Sequence, residues 1–254
     1  MYYPNEFKWI RGETPLSNIY ELYIILGIYM FLFSSPRIFA YKNSKIVNLL
    51  SPIHNIILVL MSIIMFIPLT YYTIVDYLDS GILICESTEQ NNKVTEGQLA
   101  FWIYIFYLSK FYELFDTMLL VLRGKTITWL HYLHHTSVIL VFWLSLDSGW
   151  LHVPSHIGIF NSFVHIIMYT YFFLTDLGYR PIWKKYLTTL QISQFVYGLT
   201  YIPILLYYIR IEDFNIIHQC KGSWMAPIFT CIVNVGNLIL FLNFYSSTFK
   251  NKTE

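Results

Sequence analysis

Apolar residues run through this chain in long, nearly unbroken stretches separated by short polar joints. A membrane span needs about 20 mostly apolar residues. Seven segments qualify: roughly 17–38, 53–77, 97–122, 126–146, 152–178, 184–209 and 224–248. Polar residues interrupt the fourth and fifth, which are the weakest of the seven. Pro36, Pro52, Pro154, Pro181 and Pro227 punctuate segment ends, as helix breakers do. No internal repeat or low-complexity tract divides the chain. The pattern predicts one all-α integral membrane domain over residues 1–254 with seven transmembrane helices.

Within these segments lie polar residues at helical spacing. His131, His134 and His135 in the fourth are spaced i, i+3 and i+4, so they share one side of a helix. A start near the cytosolic surface leaves them about one to three turns deep at about 1.5 Å per residue. Lys110, Glu113, Asp116 and Thr117 occupy one side of the third segment. The lysine and the acids can neutralise each other, and either acid can also hold an imidazole in one tautomer. The fifth segment carries Asn161, His165, Tyr169 and Phe172 as a ladder, and the sixth carries Thr188, Gln191 and Gln194. Four polar stripes of this kind can line one tunnel. Ionisable groups at bilayer depth are costly and usually face a bundle interior, a cavity or a substrate.

Composition supports the membrane reading: 56% hydrophobic residues, 12% charged and a mean hydropathy of +0.51. Aromatic residues make up 19%, with several Trp and Tyr near segment ends, where aromatic belts form. A net charge of +1 offers no signal for nucleic acid. Glu6, Lys8, Arg11 and Glu13 precede the first apolar run without a small-residue cleavage signature, so that run reads as a retained helix.

Positive charge sets the orientation. Arg37, Lys42, Lys45, Arg123, Lys125, Arg180, Lys184, Lys185, Lys250 and Lys252 fall on one side; Lys8, Arg11, Lys93, Arg210 and Lys221 fall on the other. Ten against five puts the C-terminus in the cytosol and the N-terminus across the membrane. Cys85 and Cys220 then share the non-cytosolic side, where they can form a disulfide or remain two free thiols. Cys231 reads as a packing residue. His131, His135 and His165 could hold a metal. Membrane di-iron desaturases spread more histidines over several boxes, while His54, His152, His156 and His218 here lie scattered near segment ends, so no metal is expected.

The motifs Lys110-Phe-Tyr-Glu113-Leu-Phe-Asp116-Thr117, His131-Tyr-Leu-His134-His135, Asn161-Ser-Phe-Val-His165-Ile-Ile-Met168-Tyr169-Thr-Tyr171-Phe172 and Thr188-Thr-Leu-Gln191-Ile-Ser-Gln194 follow in this order. Together they resemble the ELO family of fatty acid elongases, over most of the chain and least before residue 95. Phe172 departs from the family pattern, which often has Tyr there.

The resemblance implies a very-long-chain 3-oxoacyl-CoA synthase of the endoplasmic reticulum membrane. It would condense a long-chain acyl-CoA with malonyl-CoA to a 3-ketoacyl-CoA, CO2 and free CoA, without a cofactor. About six of the seven helices would enclose a polar-to-apolar substrate tunnel reached from the cytosol. Partners would be the bilayer, both CoA thioesters and the reductases and dehydratase of an elongation cycle. The tail Lys250-Asn-Lys252-Thr-Glu254 looks like a Lys-x-Lys-x-x retrieval signal.

The motifs hold no plausible nucleophilic Cys or Ser, and the family likeness points to His134 as an acyl-imidazole carrier. His165, His131 and Asn161 could donate to a developing enolate oxyanion. Glu113 and Asp116, with Lys110, would orient imidazoles, and His135 would donate from behind. Thr117, Tyr169, Thr188, Gln191 and Gln194 would line the substrate path. Arg123, Lys125, Lys184 and Lys185 could meet CoA phosphates at the cytosolic mouth, although they also satisfy the positive-inside rule. Thr126 stands where elongases of polyunsaturated chains tend to carry Gln, which leans toward saturated or monounsaturated substrates. The rivals are a seven-span transporter, a seven-span receptor and an iron-dependent desaturase or hydroxylase.

The orientation can be checked directly. Asn251-Lys252-Thr253 is the only N-x-[ST] sequon in the chain and is placed in the cytosol. Chain expressed through the endoplasmic reticulum should show no endoglycosidase-sensitive mass at Asn251; a glycan there would invert the topology.

Overall fold

The computed structural model describes residues 4–34, 44–80, 95–212 and 225–250. Among the described residues seven α-helices follow one another: α1 Ile19–Ser34, α2 Ser44–Ser80, α3 Gly97–Leu122, α4 Trp129–Ser148, α5 His152–Asp176, α6 Lys184–Glu212 and α7 Met225–Tyr245. Two short strands, β1 Lys8–Trp9 and β2 Thr95–Glu96, pair antiparallel with Lys8 opposite Glu96.

Two sequence expectations need correction. The second helix begins at Ser44 rather than near 53, so Pro52 lies inside it, as do Pro68 in α2 and Pro203 in α6. An internal proline removes one backbone hydrogen bond, a loss that neighbouring helices in a membrane bundle can accommodate. The fifth segment, expected to be weak, is among the three helices of the described residues that are long and apolar enough to cross a membrane: Ile46–Leu78, His152–Asp176 and Met225–Phe249. The apolar part of α1, Ile19–Phe31, is shorter. Charged residues on α3 and histidines on α4 dilute hydropathy there.

Six helices pack in a closed cycle. Helix α2 lies against α3 and α5, α5 against α6, α6 against α7, α7 against α4, and α4 against α3. Helix α1 leans on α3. The outer surface is apolar: Tyr20, Ile24 and Ile28 of α1, Leu60, Ile64 and Ile67 of α2, and Ile228, Ile232 and Ile239 of α7 are all exposed. Lys110, Glu113, Asn161 and His165 are buried instead. This inversion is what a helical membrane protein shows, because lipid replaces water around it.

One end of the bundle is closed by the N-terminal segment. Phe7 stacks on Tyr104 at 5.1 Å, and Trp9 meets Tyr104 and Tyr107 edge-on. Tyr107 Oη donates to the Leu16 carbonyl at 2.8 Å, and Trp143 Nε1 donates to the Ser17 carbonyl at 3.0 Å. Arg11 reaches across to Asp147 in a bidentate pair that raises its pKa, through the hydrogen bond first and charge second. At this end α4 stops at Gly149, whose φ of 75° lets the chain turn directly into α5. The α3 C-terminus, the α4 N-terminus and the ends of α5 and α6 that they meet lie at the opposite end.

These contacts differ in worth. Tyr107→Phe should lower the melting temperature in detergent by the equivalent of about 1–3 kcal/mol, because it strands a buried carbonyl. Arg11→Ala should change stability by at most about 1 kcal/mol, since the arginine is largely exposed.

Candidate active site

Helix α3 sends its polar stripe inward. Lys110 Nζ donates to Glu113 Oε1 at 2.7 Å and to Asn161 Oδ1 of α5 at 2.8 Å, and it lies 4.1 Å from the Phe106 ring centroid. The same Glu113 oxygen is 3.3 Å from His165 Nδ1. Lysine and glutamate are 3% and 2% exposed, so the pair is withdrawn from solvent altogether. A buried pair of this kind holds only when remaining donors and acceptors are also used. Asn161 and His165 use them.

The histidine box begins at a capped helix start. Thr128 precedes α4, and its side chain accepts from the His131 backbone N–H at 3.3 Å. The box therefore occupies the first two turns of α4. His131 Nε2 is 2.6 Å from Thr117 Oγ1, which is in turn 2.9 Å from Tyr29 Oη of α1. His131 and His135 have ring centroids 4.4 Å apart, and His134 and His135 are 5.7 Å apart. Phe195 of α6 and Phe241 of α7 each meet the His134 ring edge-on at 6.0 Å. His134 Nδ1 is buried without a hydrogen-bond partner among the described residues.

A cavity of about 520 Å³ opens at this end of the bundle. His131, His134, His135, His165, Asp116, Tyr169, Thr188, Gln191 and Gln194 line it, with Arg123, Lys125 and Lys184. Phe172 lines it too, with a ring where the family pattern often has a phenol. His134 also borders a second cavity of about 40 Å³, where Val138, Phe142 and Phe160 meet Asn161, Gln194, Thr230, Asn234 and Asn237. His134 and Gln194 border both spaces.

Other expected residues stand elsewhere. Thr117, expected to touch substrate, is held between Tyr29 and His131 and does not line the large cavity. Lys185 does not line it either, because one helical step turns it about 100° from Lys184. Lys110 and Glu113 sit behind the wall, acting on His165 and Asn161. Asn161 is engaged at both ends: its oxygen accepts from Lys110 and its nitrogen lies 3.4 Å from Gln194 Oε1. Asp116 meets none of the box imidazoles within hydrogen-bond range; its partners are His54 and Tyr169. Arg123 is paired with Asp176 at 2.9 Å, and Asp176 also accepts from Ser51 at 2.5 Å and Asn55 at 2.8 Å. Cys85 and Cys220 lie outside the described residues, as does the tail beyond residue 250.

His54, Tyr29, Asn55 and Asp176 are the residues that sequence reasoning missed. Tyr29 and Asp176 stand alone in their segments, whereas Ser51, His54 and Asn55 share an i, i+3, i+4 face of α2 that the sequence reading passed over because it lies at the edge of an apolar run. Among the described residues, no group of three or more His, Cys, Asp or Glu is arranged to hold a metal.

The buried pair makes a sharp stability contrast. Lys110→Met should destabilise by about 3–5 kcal/mol, because it leaves Glu113 charged and unpaired by lysine. Lys110→Met combined with Glu113→Gln should recover a large part of that loss in a detergent melting assay.

Comparison with known proteins matches this arrangement to one family. The ELO profile, described as the GNS1/SUR4 family, matches residues 14–254. Fatty acid elongase sre1 of Dictyostelium discoideum is 36% identical over 256 residues, covering 99% of this chain and 92% of its own length. Fatty acid elongase A of the same organism is 34% identical, covering 98% and 90%. Very long chain fatty acid elongase 7 of Rattus norvegicus is 28% identical, covering 95% and 84%. Similarity that spans nearly the whole of both partners, and includes every helix of the cavity, shows that this chain belongs to the ELO (GNS1/SUR4) family of fatty acid elongases.

Proposed function

We propose that this chain catalyses the condensing step of fatty acid elongation, joining acyl-CoA and malonyl-CoA through an acyl-imidazole on His134. One observation carries the reading. His134 borders both cavities and its imidazole is hydrogen-bonded to no other residue described, whereas His131 is tied to Thr117 and His165 to Glu113.

The chemistry follows from those positions. An imidazole nitrogen of His134 attacks the thioester carbonyl, the carbon–sulfur bond breaks, and the ring proton leaves with the thiolate as free CoA. Malonyl-CoA then loses CO2, and the released electron pair forms an enolate. Its carbon attacks the acyl-imidazole, the carbon–nitrogen bond breaks, and the imidazole regains a proton from water. His131 and His165 supply donors for the developing oxyanions. Asn161, already engaged at both ends, acts through Gln194, which lines the cavity and whose Oε1 accepts from Asn161.

The approach is from the end bearing Lys125 and Lys184, which meet the CoA phosphates, while Asp176 offsets part of the Arg123 charge. The acyl chain would run past His134 among α4, α5, α6 and α7, where the small cavity of about 40 Å³ has to widen to admit it. Six helices enclose this path, and seven span the endoplasmic reticulum membrane with the mouth in the cytosol. The inward-facing polar groups of α3 and α4 account for their low hydropathy without removing them from the membrane. Reductases and a dehydratase of an elongation cycle would take the product onward. No nucleic acid is involved.

Purified protein given acyl-CoA alone should release CoA and gain the mass of one acyl chain, and His134→Ala should abolish both. Arg11→Ala, at the far end of the bundle, should retain both. Consumption of acyl-CoA only when malonyl-CoA is also present would replace the covalent route with a direct one. No carbon incorporation from malonyl-CoA at any acyl length would overturn the enzyme reading.

A further inference from the structure

We infer that His54 of α2, which lies outside all four motif segments, is a positioning residue for the cavity carboxylate Asp116. His54 Nε2 is 2.9 Å from Asp116 Oδ1, and its other nitrogen, Nδ1, is 3.3 Å from Tyr112 Oη. The second carboxylate oxygen, Oδ2, accepts from Tyr169 Oη at 2.7 Å. A carboxylate accepts only, so Nε2 carries the hydrogen toward Asp116. In the neutral ring, Nδ1 then accepts from the Tyr112 hydroxyl. The result is a chain of four groups across α3, α2 and α5: Tyr112, His54, Asp116 and Tyr169.

The chain ends on the reaction space. Asp116 and Tyr169 both line the large cavity, and the Tyr169 ring stands edge-on to His165 at 5.2 Å. His54 is not among the lining residues and is only 8% exposed, so it acts through Asp116. Two donors of fixed direction hold both oxygens of Asp116 in place. The Tyr169 hydroxyl hydrogen consequently points at Asp116, and its lone pairs are left for the cavity. Without His54, Oδ1 of Asp116 loses its protein donor and faces the open cavity with only water to replace it. Rotation toward His131 or uptake of a proton would relieve that, and either change redirects Tyr169.

This inference rests on the condensing activity for its kinetic arm alone, so a spectroscopic arm accompanies it. His54→Leu should lower kcat for carbon incorporation from malonyl-CoA by about 10- to 100-fold, the size of one hydrogen bond to a charged group, with KM little changed. His54→Gln, which can present an amide N–H to the same oxygen, should restore much of kcat. Asp116→Asn added to His54→Leu should cost little more than Asp116→Asn alone. Isotope-edited infrared spectra of His54→Leu should show the Asp116 carboxylate bands shifted or replaced by a carboxylic-acid band, a change that His54→Leu does not produce in an Asp116→Asn background and that His54→Gln reverses. If the wild-type protein incorporates no malonyl carbon, the proposed function fails, and the infrared arm still decides the His54 assignment. Wild-type kcat and unchanged carboxylate bands in folded His54→Leu would overturn it. So would equal losses in the Leu and Gln variants, which mark a purely structural side chain.

Discussion

A lysine and a glutamate with almost no exposure can share the interior of a membrane bundle only if each cancels the other and their spare hydrogen-bonding capacity is used. Lys110 and Glu113 meet that condition through Asn161 and His165 of α5 and the face of Phe106. The knot fixes the rotation of α3 about its axis and the register of α3 against α5. Everything else in the cavity is placed relative to it. With Lys110 and Glu113 turned inward, Thr117 falls under His131 and Asp116 falls on the cavity wall between His54 and Tyr169.

Above this knot, the histidine box gains its geometry from a helix start. Thr128 caps α4, so the three imidazoles project from the first two turns, near the mouth. Their surroundings differ although they are neighbours in sequence. Hydroxyl groups hold His131, while aromatic edges of Phe195 and Phe241 flank His134. A ring held by aromatic contacts keeps its orientation without spending its nitrogens on hydrogen bonds, as the nucleophile proposed above requires.

The two ends of the bundle divide the work. At one end the N-terminal segment, the β1–β2 pair and the aromatic cluster around Tyr104 and Tyr107 close the ring of helices. At the other, charged and amide side chains border an open cavity. Charged residues border only the large cavity, while the small one beside His134 is lined by apolar and neutral polar side chains.

Long apolar runs and a box of histidines were enough to read a helical membrane protein and the ELO family from the sequence, because hydrophobic length and helical spacing are local properties. Lys110, Glu113, Asp116, His131, His134 and His165 were legible as a set for the same reason: each belongs to a spaced stripe. Which member touches which was not. Spacing places Asp116 and Glu113 on one side of α3 but cannot say that one faces His54 and the other His165. Nor could spacing name the partners of His54 or Asp176, which lie more than 50 residues away. Pro52 misled for a related reason, since a breaker by local rule is tolerated where neighbouring helices supply the packing. Local chemistry determined what kind of protein this is. Only the packing of α2, α3 and α5 decided which donors the two carboxylates keep, because a hydrogen bond depends on distance and direction in space rather than on separation along the chain.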